Sequence, residues 1–334
     1  MDDGVVAGKR NAVARVIAII KEQGSHLGLF IKDPKCELFS KGDMNSFPVQ
    51  MKRSNTPNLV LLGAPIGDLI FCAKFIANLR SKSHGLLSRL QQIGPKDPQV
   101  AYLLLRFCGS FCKLVHLARS TPPSLVAEAL SLFDLDIRRC FTECTSVDVS
   151  DVAWHQAQLS PSRGGLGLRS LYHHSSACFI ASISQSGVAL GANHHLEQSI
   201  DDLNHIIGDS EAVCVQDILD APPRQRILSS RIEDQQLRML FDLVSSPAQH
   251  ARLLSVSSPH ASAWLSVMPT PQLNLHLEPP EFQVALKWWL GMDTSQNARC
   301  SLCPSHALDP LGHHALTCKS GGDLIVRHNG LRDT

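Results

Sequence analysis

Over residues 9–23, apolar side chains recur at Val13, Val16, Ile17 and Ile20, while Arg10, Arg15 and Lys21 fall outside the stripe. That spacing draws one apolar edge along a helix, and Gly24 supplies a stop. The pattern then shortens. Residues 27–31 and 36–39 are brief apolar runs on either side of Lys32-Asp33-Pro34-Lys35, which predicts strand, turn, strand. Residues 59–62, closed by Gly63-Ala64-Pro65, predict a further strand, and Val5-Val6 a strand-like step near the start.

Beyond Pro65 the helical period takes over in three long stretches, 66–93, 98–118 and 124–144, cut by Gly94-Pro95 and Thr121-Pro122-Pro123. Residues 160–169 are glycine-rich and predict a turn, with a helix following to about Ser184. The loop is not a dinucleotide fingerprint, because no strand precedes it and no third glycine is correctly spaced; Arg163 and Arg169 flank it as candidate phosphate contacts. Residues 187–223 are more polar, with Asp201, Asp202, Asp209, Glu211, Asp217 and Asp220, and predict weakly packed helices or a linker. Helical patterns resume at 225–243, 248–256, 262–268 and 281–291. The expected fold class is mainly α, with a small α/β unit at the N-terminus.

Composition narrows this only in part. A chain of 334 residues allows about two or three folding units, and 44% apolar content can bury a sizeable core. Aromatics are only 5% and the apolar residues are mostly Leu, Ile, Val and Ala, which favours helices. A net charge of +1 means that any nucleic-acid surface has to be a local patch. Eleven cysteines without a signal-peptide pattern or a regular framework point to a reducing, intracellular compartment, nuclear or cytoplasmic. Cys72, Cys108, Cys112, Cys140, Cys144 and Cys178 fall on apolar helical faces and are expected as buried free thiols. No continuous apolar run of about eighteen residues is found, so no membrane partner is expected.

The most specific chemistry lies near the C-terminus. Cys300 and Cys303 form a C-x2-C pair; after nine residues come His313 and His314, and then Cys318. Two cysteines on a tight turn can present both thiolates to one ion, while a His and a Cys about one helical turn apart converge from the other side. His313 gives H-x4-C and His314 gives H-x3-C, and both spacings work. Four protein ligands leave no open position, so a Zn²⁺ held here would be structural. The competing reading is a chance grouping in a cysteine-rich chain.

Met1-Asp2-Asp3-Gly4 sets two carboxylates beside a glycine, a combination suited to divalent metal and phosphate chemistry but weak alone. Taken in order with Gly28-Leu29-Phe30-Ile31, Lys35-Cys36-Glu37-Leu38 and Leu61-Leu62-Gly63-Ala64-Pro65-Ile66-Gly67, the stretch resembles the back half of a reverse-transcriptase palm. The resemblance is to non-long-terminal-repeat retrotransposons of the lineage with a restriction-like endonuclease after the polymerase. It implies a partial palm at 1–65, a thumb with adjoining helices at 66–186, a helical connector at 187–298, a zinc knuckle at 299–320 and the start of an endonuclease at 321–334. Gly164-Gly165-Leu166-Gly167-Leu168-Arg169-Ser170 and Arg327-His328-Asn329 resemble recurrent segments of that lineage.

The resemblance further implies that Asp2 and Asp3 are metal-binding carboxylates for two-Mg²⁺ phosphoryl transfer, with Lys35 as the lysine of the following motif. Leu62 and Gly63 would form the primer grip. Arg80, Lys82, Arg89, Lys96 and Arg106 would track a nucleic-acid backbone, although an ordinary solvated face explains them equally well. The partners would be an RNA template and a DNA target. Fingers, first palm strands and the third polymerase aspartate would precede Met1, and the acidic cluster of the endonuclease would follow Thr334. The expected function is therefore a truncated RNA-directed DNA polymerase, inactive alone; the alternative is a non-catalytic nucleic-acid-binding module made of thumb and knuckle.

Overall fold

The computed structural model describes residues 4–40, 42–54, 56, 58–186, 194–294, 299–303, 306–321 and 323–332. It is mainly helical, 64% helix against 5% strand, and divides into two units, Met1–Phe75 and Ile76–Thr334.

The first unit opens with α1, Arg10–His26, no residue of which is buried. It outruns the predicted helix by most of a turn. Gly28 adopts a positive φ of 73°, and the N–H groups of Leu27 and Leu29 both donate to the Gly24 carbonyl, at 2.9 and 2.8 Å. That cap consumes the backbone expected as a strand at 27–31, because N–H groups closing a helix end cannot also join a ladder. Val5 and Val6 likewise carry no strand. After a 3-10 turn at Asp33–Lys35, β1 (Glu37–Phe39) pairs in parallel with β2 (Lys52–Ser54), a polar segment with no strand signal. A separate antiparallel hairpin joins β3 (Leu59–Leu61) to β4 (Ala64–Ile66). Helix α2 (Leu69–Ile93) starts at Asp68, whose carboxylate accepts from Phe71 N at 2.8 Å and Asn58 Nδ2 at 2.9 Å. The side chain thereby caps the helix and ties its start to the hairpin.

The second unit continues α2 through α3 (Pro98–Leu104), α4 (Phe111–Ser120), α5 (Ala127–Thr145), α6 (Asp151–Gln158), α7 (Leu171–Gln185), α8 (His194–Ile207), α9 (Val215–Asp220), α10 (Gln225–Leu243), α11 (Pro247–Val256), α12 (Pro279–Trp289), α13 (His313–Thr317) and α14 (Asp323–Arg332). Its centre is α7, which packs against α4, α5, α8 and α10. Leu171, Ala177, Cys178, Phe179, Ile180 and Ala181 are buried, and a helix apolar on most faces belongs inside.

Within the polar stretch, residues 194–207 are not a loose linker. Leu196, Ile200, Leu203 and Ile207 of α8 are buried in one cluster with Ala177, Ile180 and Ala181 of α7 and Leu228 and Ile232 of α10. Asp201 and Asp202, which made the segment look solvated, occupy the exposed side of the same helix. The single helix expected over 98–118 is interrupted by a π turn at Leu105–Gly109, with Ser110 N donating to Leu105 O at 2.8 Å. There Cys108 and Cys112 are exposed and not buried as expected, whereas Cys72, Cys140, Cys144 and Cys178 are buried. Taken as one run, Pro98–Ser120 is long and apolar enough by composition to cross a membrane, although it is not a continuous apolar run. Here Ala101, Tyr102, Leu105, Leu114 and Leu117 of that run lie in the protein core.

The glycine-rich loop is a close-packed turn. A Cβ at Gly165 would come within 2.0 Å of the Leu159 carbonyl oxygen, and Tyr102 Oη donates to Leu166 O at 2.7 Å. Its arginines are not phosphate contacts. Arg163 Nη1 lies 2.9 Å from Glu233 Oε2, Arg163 Nε 2.8 Å from Asp234 Oδ1, and Arg169 Nη2 2.6 Å from Glu233 Oε1. Both guanidiniums are thus neutralised by α10, whose Glu233 is 2% exposed.

Asp134 of α5 caps α7, accepting from Ser170 Oγ at 2.6 Å, Leu171 N at 2.9 Å and Tyr172 N at 3.1 Å. Burial outweighs those bonds and pushes its carboxyl up to about 6. The folded state then holds a proton that the unfolded chain, titrating near 3.8, has released. This group's contribution is fully present below about pH 4 and is lost as pH rises through about 6. Chemical denaturation across that window should show Asp134→Asn lacking part of the wild-type decline in stability. Parallel pH profiles for the two proteins would refute this assignment.

Candidate metal centre

The centre is built by two short local structures. Arg299 and Ala307 form an isolated antiparallel bridge, and Cys300 N donates to His306 O at 3.0 Å. The turn between them brings Cys303 N to 3.4 Å from Cys300 Sγ. On the other side, Asp309 accepts from the N–H groups of His313 and His314, at 2.9 and 2.6 Å, and so starts α13. Thr294 N and Oγ1 both donate to Pro310 O, at 2.7 and 3.1 Å, anchoring this side to the segment after α12.

Cys300 Sγ, Cys303 Sγ, a ring nitrogen of His314 and Cys318 Sγ all lie within 4.8 Å of one another, a set that could hold a metal ion. Cys300 and Cys318 are buried with their sulfurs 3.8 Å apart. His314 Nε2 lies 3.0 Å from Cys303 Sγ. The two spacings open to His313 and His314 are thus resolved: His314 turns inward, while His313 Nδ1 faces Asp309 Oδ2 at 3.4 Å. The backbone N–H groups of Cys303 and then Leu302 hold the Cys300 thiol low, at about 6. Burial, followed by the sulfurs of Cys318 and Cys300, pushes Cys303 up to about 11. Three sulfurs and an imidazole nitrogen converging on one point form a donor set that a soft divalent cation fits.

Two residues contribute here that sequence reasoning had not singled out. His306 stacks on His314, ring centroids 5.1 Å apart and 15° between planes, and its Nδ1 lies 3.6 Å from Cys303 Sγ. Asp309 accepts from the first two N–H groups of α13 and so orients both histidines, although Gly312 and not Asp309 holds the cap position. The stacking on His306 has no local sequence signature. Four protein ligands surround one point, so the arrangement can hold structure and leaves no position for a reacting water.

The other expected site residues are dispersed. Asp2 and Asp3 lie outside the described residues. Lys35 is exposed at the end of its 3-10 turn. Leu62 and Gly63 form the two-residue tip of the β3–β4 hairpin with φ of 49° and 79°. Such a tip matches the twist of a hairpin, although a left-handed leucine costs about 1 kcal/mol or more. Arg80 is committed internally, with Nη2 2.9 Å from Asp136 Oδ1, and His84 Nε2 lies 3.1 Å from the same carboxylate. Burial alone would raise Asp136, but the hydrogen bonds from Arg80 and His84 outweigh it and hold it below the usual carboxylate range. Arg106 donates to Leu265 O at 3.1 Å and Ser266 Oγ at 3.2 Å, and its guanidinium lies 4.7 Å over the Phe107 ring. Lys82, Arg89 and Lys96 are exposed and make no ion pair among the described residues. The first two, seven residues apart on α2, share a face.

No family model, curated protein or solved structure matches the chain.

Proposed function

We propose that the Cys300, Cys303, His314 and Cys318 centre is a structural zinc knuckle. We further propose that the chain is the palm-end, thumb and connector region of a retrotransposon RNA-directed DNA polymerase of the non-long-terminal-repeat kind. The observation that carries the reading is the convergence of those four side chains. A soft set of three sulfurs and one imidazole suits Zn²⁺. The 3.8 Å between Cys300 and Cys318 sulfurs is the separation of about 3.8 Å that two thiolates take on a tetrahedral ion with metal–sulfur bonds of about 2.3 Å. The sequence resemblance supplies the rest: the order of Asp2-Asp3, Lys35, the Leu62-Gly63 hairpin tip, long helices and the knuckle.

In this reading the helices after the hairpin bind nucleic acid through its phosphate backbone. Lys82, Arg89 and Lys96 are the cations available for a phosphate backbone, because Arg80 and Arg106 are already engaged. RNA and DNA are the expected partners. Filter binding with single-stranded RNA, with and without chelator, is the test. Affinity should fall with salt, and replacing both Lys82 and Arg89 by glutamine should flatten the log–log salt slope by roughly 1 to 2. Absence of binding at low salt would sink the reading.

A further inference from the structure

A cleft of about 680 Å³, lined by none of the four metal-centre side chains and none of Lys82, Arg89 and Lys96, opens between the start of α6, the α10–α11 turn and the end of α12. Arg252 and Lys287 line it together with Ser245 and Ser246. Arg252 is the unusual member. Its Nε donates to Gln249 Oε1 at 2.6 Å and its Nη2 to Gln156 Oε1 at 3.0 Å, and Nη1 donates to the Trp289 carbonyl. All three acceptors are neutral, and no carboxylate lies within ion-pair distance of this arginine among the described residues. The surroundings are tight: a Cβ at Gly291 would come within 2.5 Å of Arg252 Nε. Burial alone draws the group down to about 10, so it remains charged at neutral pH.

A guanidinium has five N–H donors, and three bonds leave two for a ligand in the cleft that the side chain borders. A part-buried positive charge with no counter-ion costs solvation that an anion would restore. Two neighbouring features favour the same ligand sign. Lys287, half-buried on α12, makes no ion pair among the described residues. The start of α11 also borders the cleft through Ser246, whose side chain does not cap it; Pro247 has no N–H, so the positive end of that helix is carried by the N–H groups of Ala248 and Gln249. Asp148 and Asp293 line the cleft as well; both are exposed at its rim, where solvent screens them far more than the arginine inside.

We infer that this cleft binds the phosphate group of a small phosphorylated ligand of nucleotide size, with Lys287 and Arg252 as its cationic contacts. The inference does not depend on the retrotransposon reading, because none of these residues belongs to the knuckle or to the α2 stripe.

The test is calorimetric titration of the full chain with adenosine 5′-monophosphate, adenosine, inorganic phosphate and a single-stranded oligodeoxynucleotide. The monophosphate should bind, adenosine should not, and inorganic phosphate should compete. Lys287→Gln should weaken the monophosphate at least tenfold with an unchanged thermal midpoint. Arg252 bridges three elements, so Arg252→Lys is open to misfolding and half-buried Lys287 is the deciding position. No binding at millimolar monophosphate, an affinity unchanged by Lys287→Gln, or failure of phosphate to compete would each overturn the inference. An oligonucleotide that depends on Lys287 while the monophosphate does not bind would also overturn it, by assigning the cleft to a backbone phosphodiester.

Discussion

Replacing Cys318 by serine is expected to abolish tight zinc binding and to melt the local structure around Cys300, Cys303 and α13 while the helical body stays folded. Structural zinc in small sites contributes on the order of 10–16 kcal/mol of apparent binding free energy near neutral pH. Among the described residues the affected segment is tied, beyond the four ligands, by the Arg299–Ala307 bridge, the Asp309 bonds to His313 and His314, the His306–His314 stack and the Thr294–Pro310 bonds. Metal content of the purified protein and hydrogen exchange at the Cys300, Cys303 and α13 amides report the two halves of the effect. His314→Ala should behave like Cys318→Ser, whereas His313→Ala should keep one equivalent of zinc. One tightly bound zinc surviving in the Cys318→Ser protein would remove the centre from consideration.

Glu233→Ala is expected to be the most damaging single change in the helical body. Glu233 is 2% exposed and accepts from Arg163 and Arg169, whose side chains are themselves only 22% and 31% exposed. Removing the carboxylate leaves two part-buried guanidiniums facing each other, and losing one partner of a buried pair costs about 3–5 kcal/mol. Asp234, 2.7 Å from Arg163, offsets part of this, which places the expected loss toward the lower figure. For a unit of this size that corresponds to a fall in thermal midpoint on the order of 10 °C. Arg169→Ala should cost less, because Arg163 still neutralises the carboxylate. A midpoint for Glu233→Ala within about 2 °C of wild type would show that the network is not holding α10 against the glycine-rich loop.

The second expectation turns on Glu233, which sequence reading did not single out, and on Arg163 and Arg169, which it took as candidate phosphate contacts. Arg163 and Arg169 were readable as phosphate contacts because each follows or precedes glycines in a loop; their partner lies 70 and 64 residues away. Arg80 was readable as part of a basic stripe, and its partner Asp136 lies 56 residues away. A charged side chain looks the same in sequence whether it faces solvent or a buried carboxylate. Segment 187–223 misled for a related reason. Its acidic residues dominated the composition, while the apolar stripe of α8 repeats only once per turn.

What the sequence by itself determined is what depends on neighbours within a turn or two. Helical periodicity placed α2, α5, α7, α10 and α12, because the apolar face needed for packing is written every three to four residues. The C-x2-C turn and the cysteine at 318 announced a ligand set on the same local grounds. Tertiary structure alone decided that His314 and not His313 completes the set, and that the predicted strand at 27–31 serves as a helix cap. It also decided that β1 finds its partner in the polar Lys52–Ser54 segment. Those outcomes follow from which distant groups compete for one donor, one acceptor or one metal position, and that competition exists only once the chain has folded.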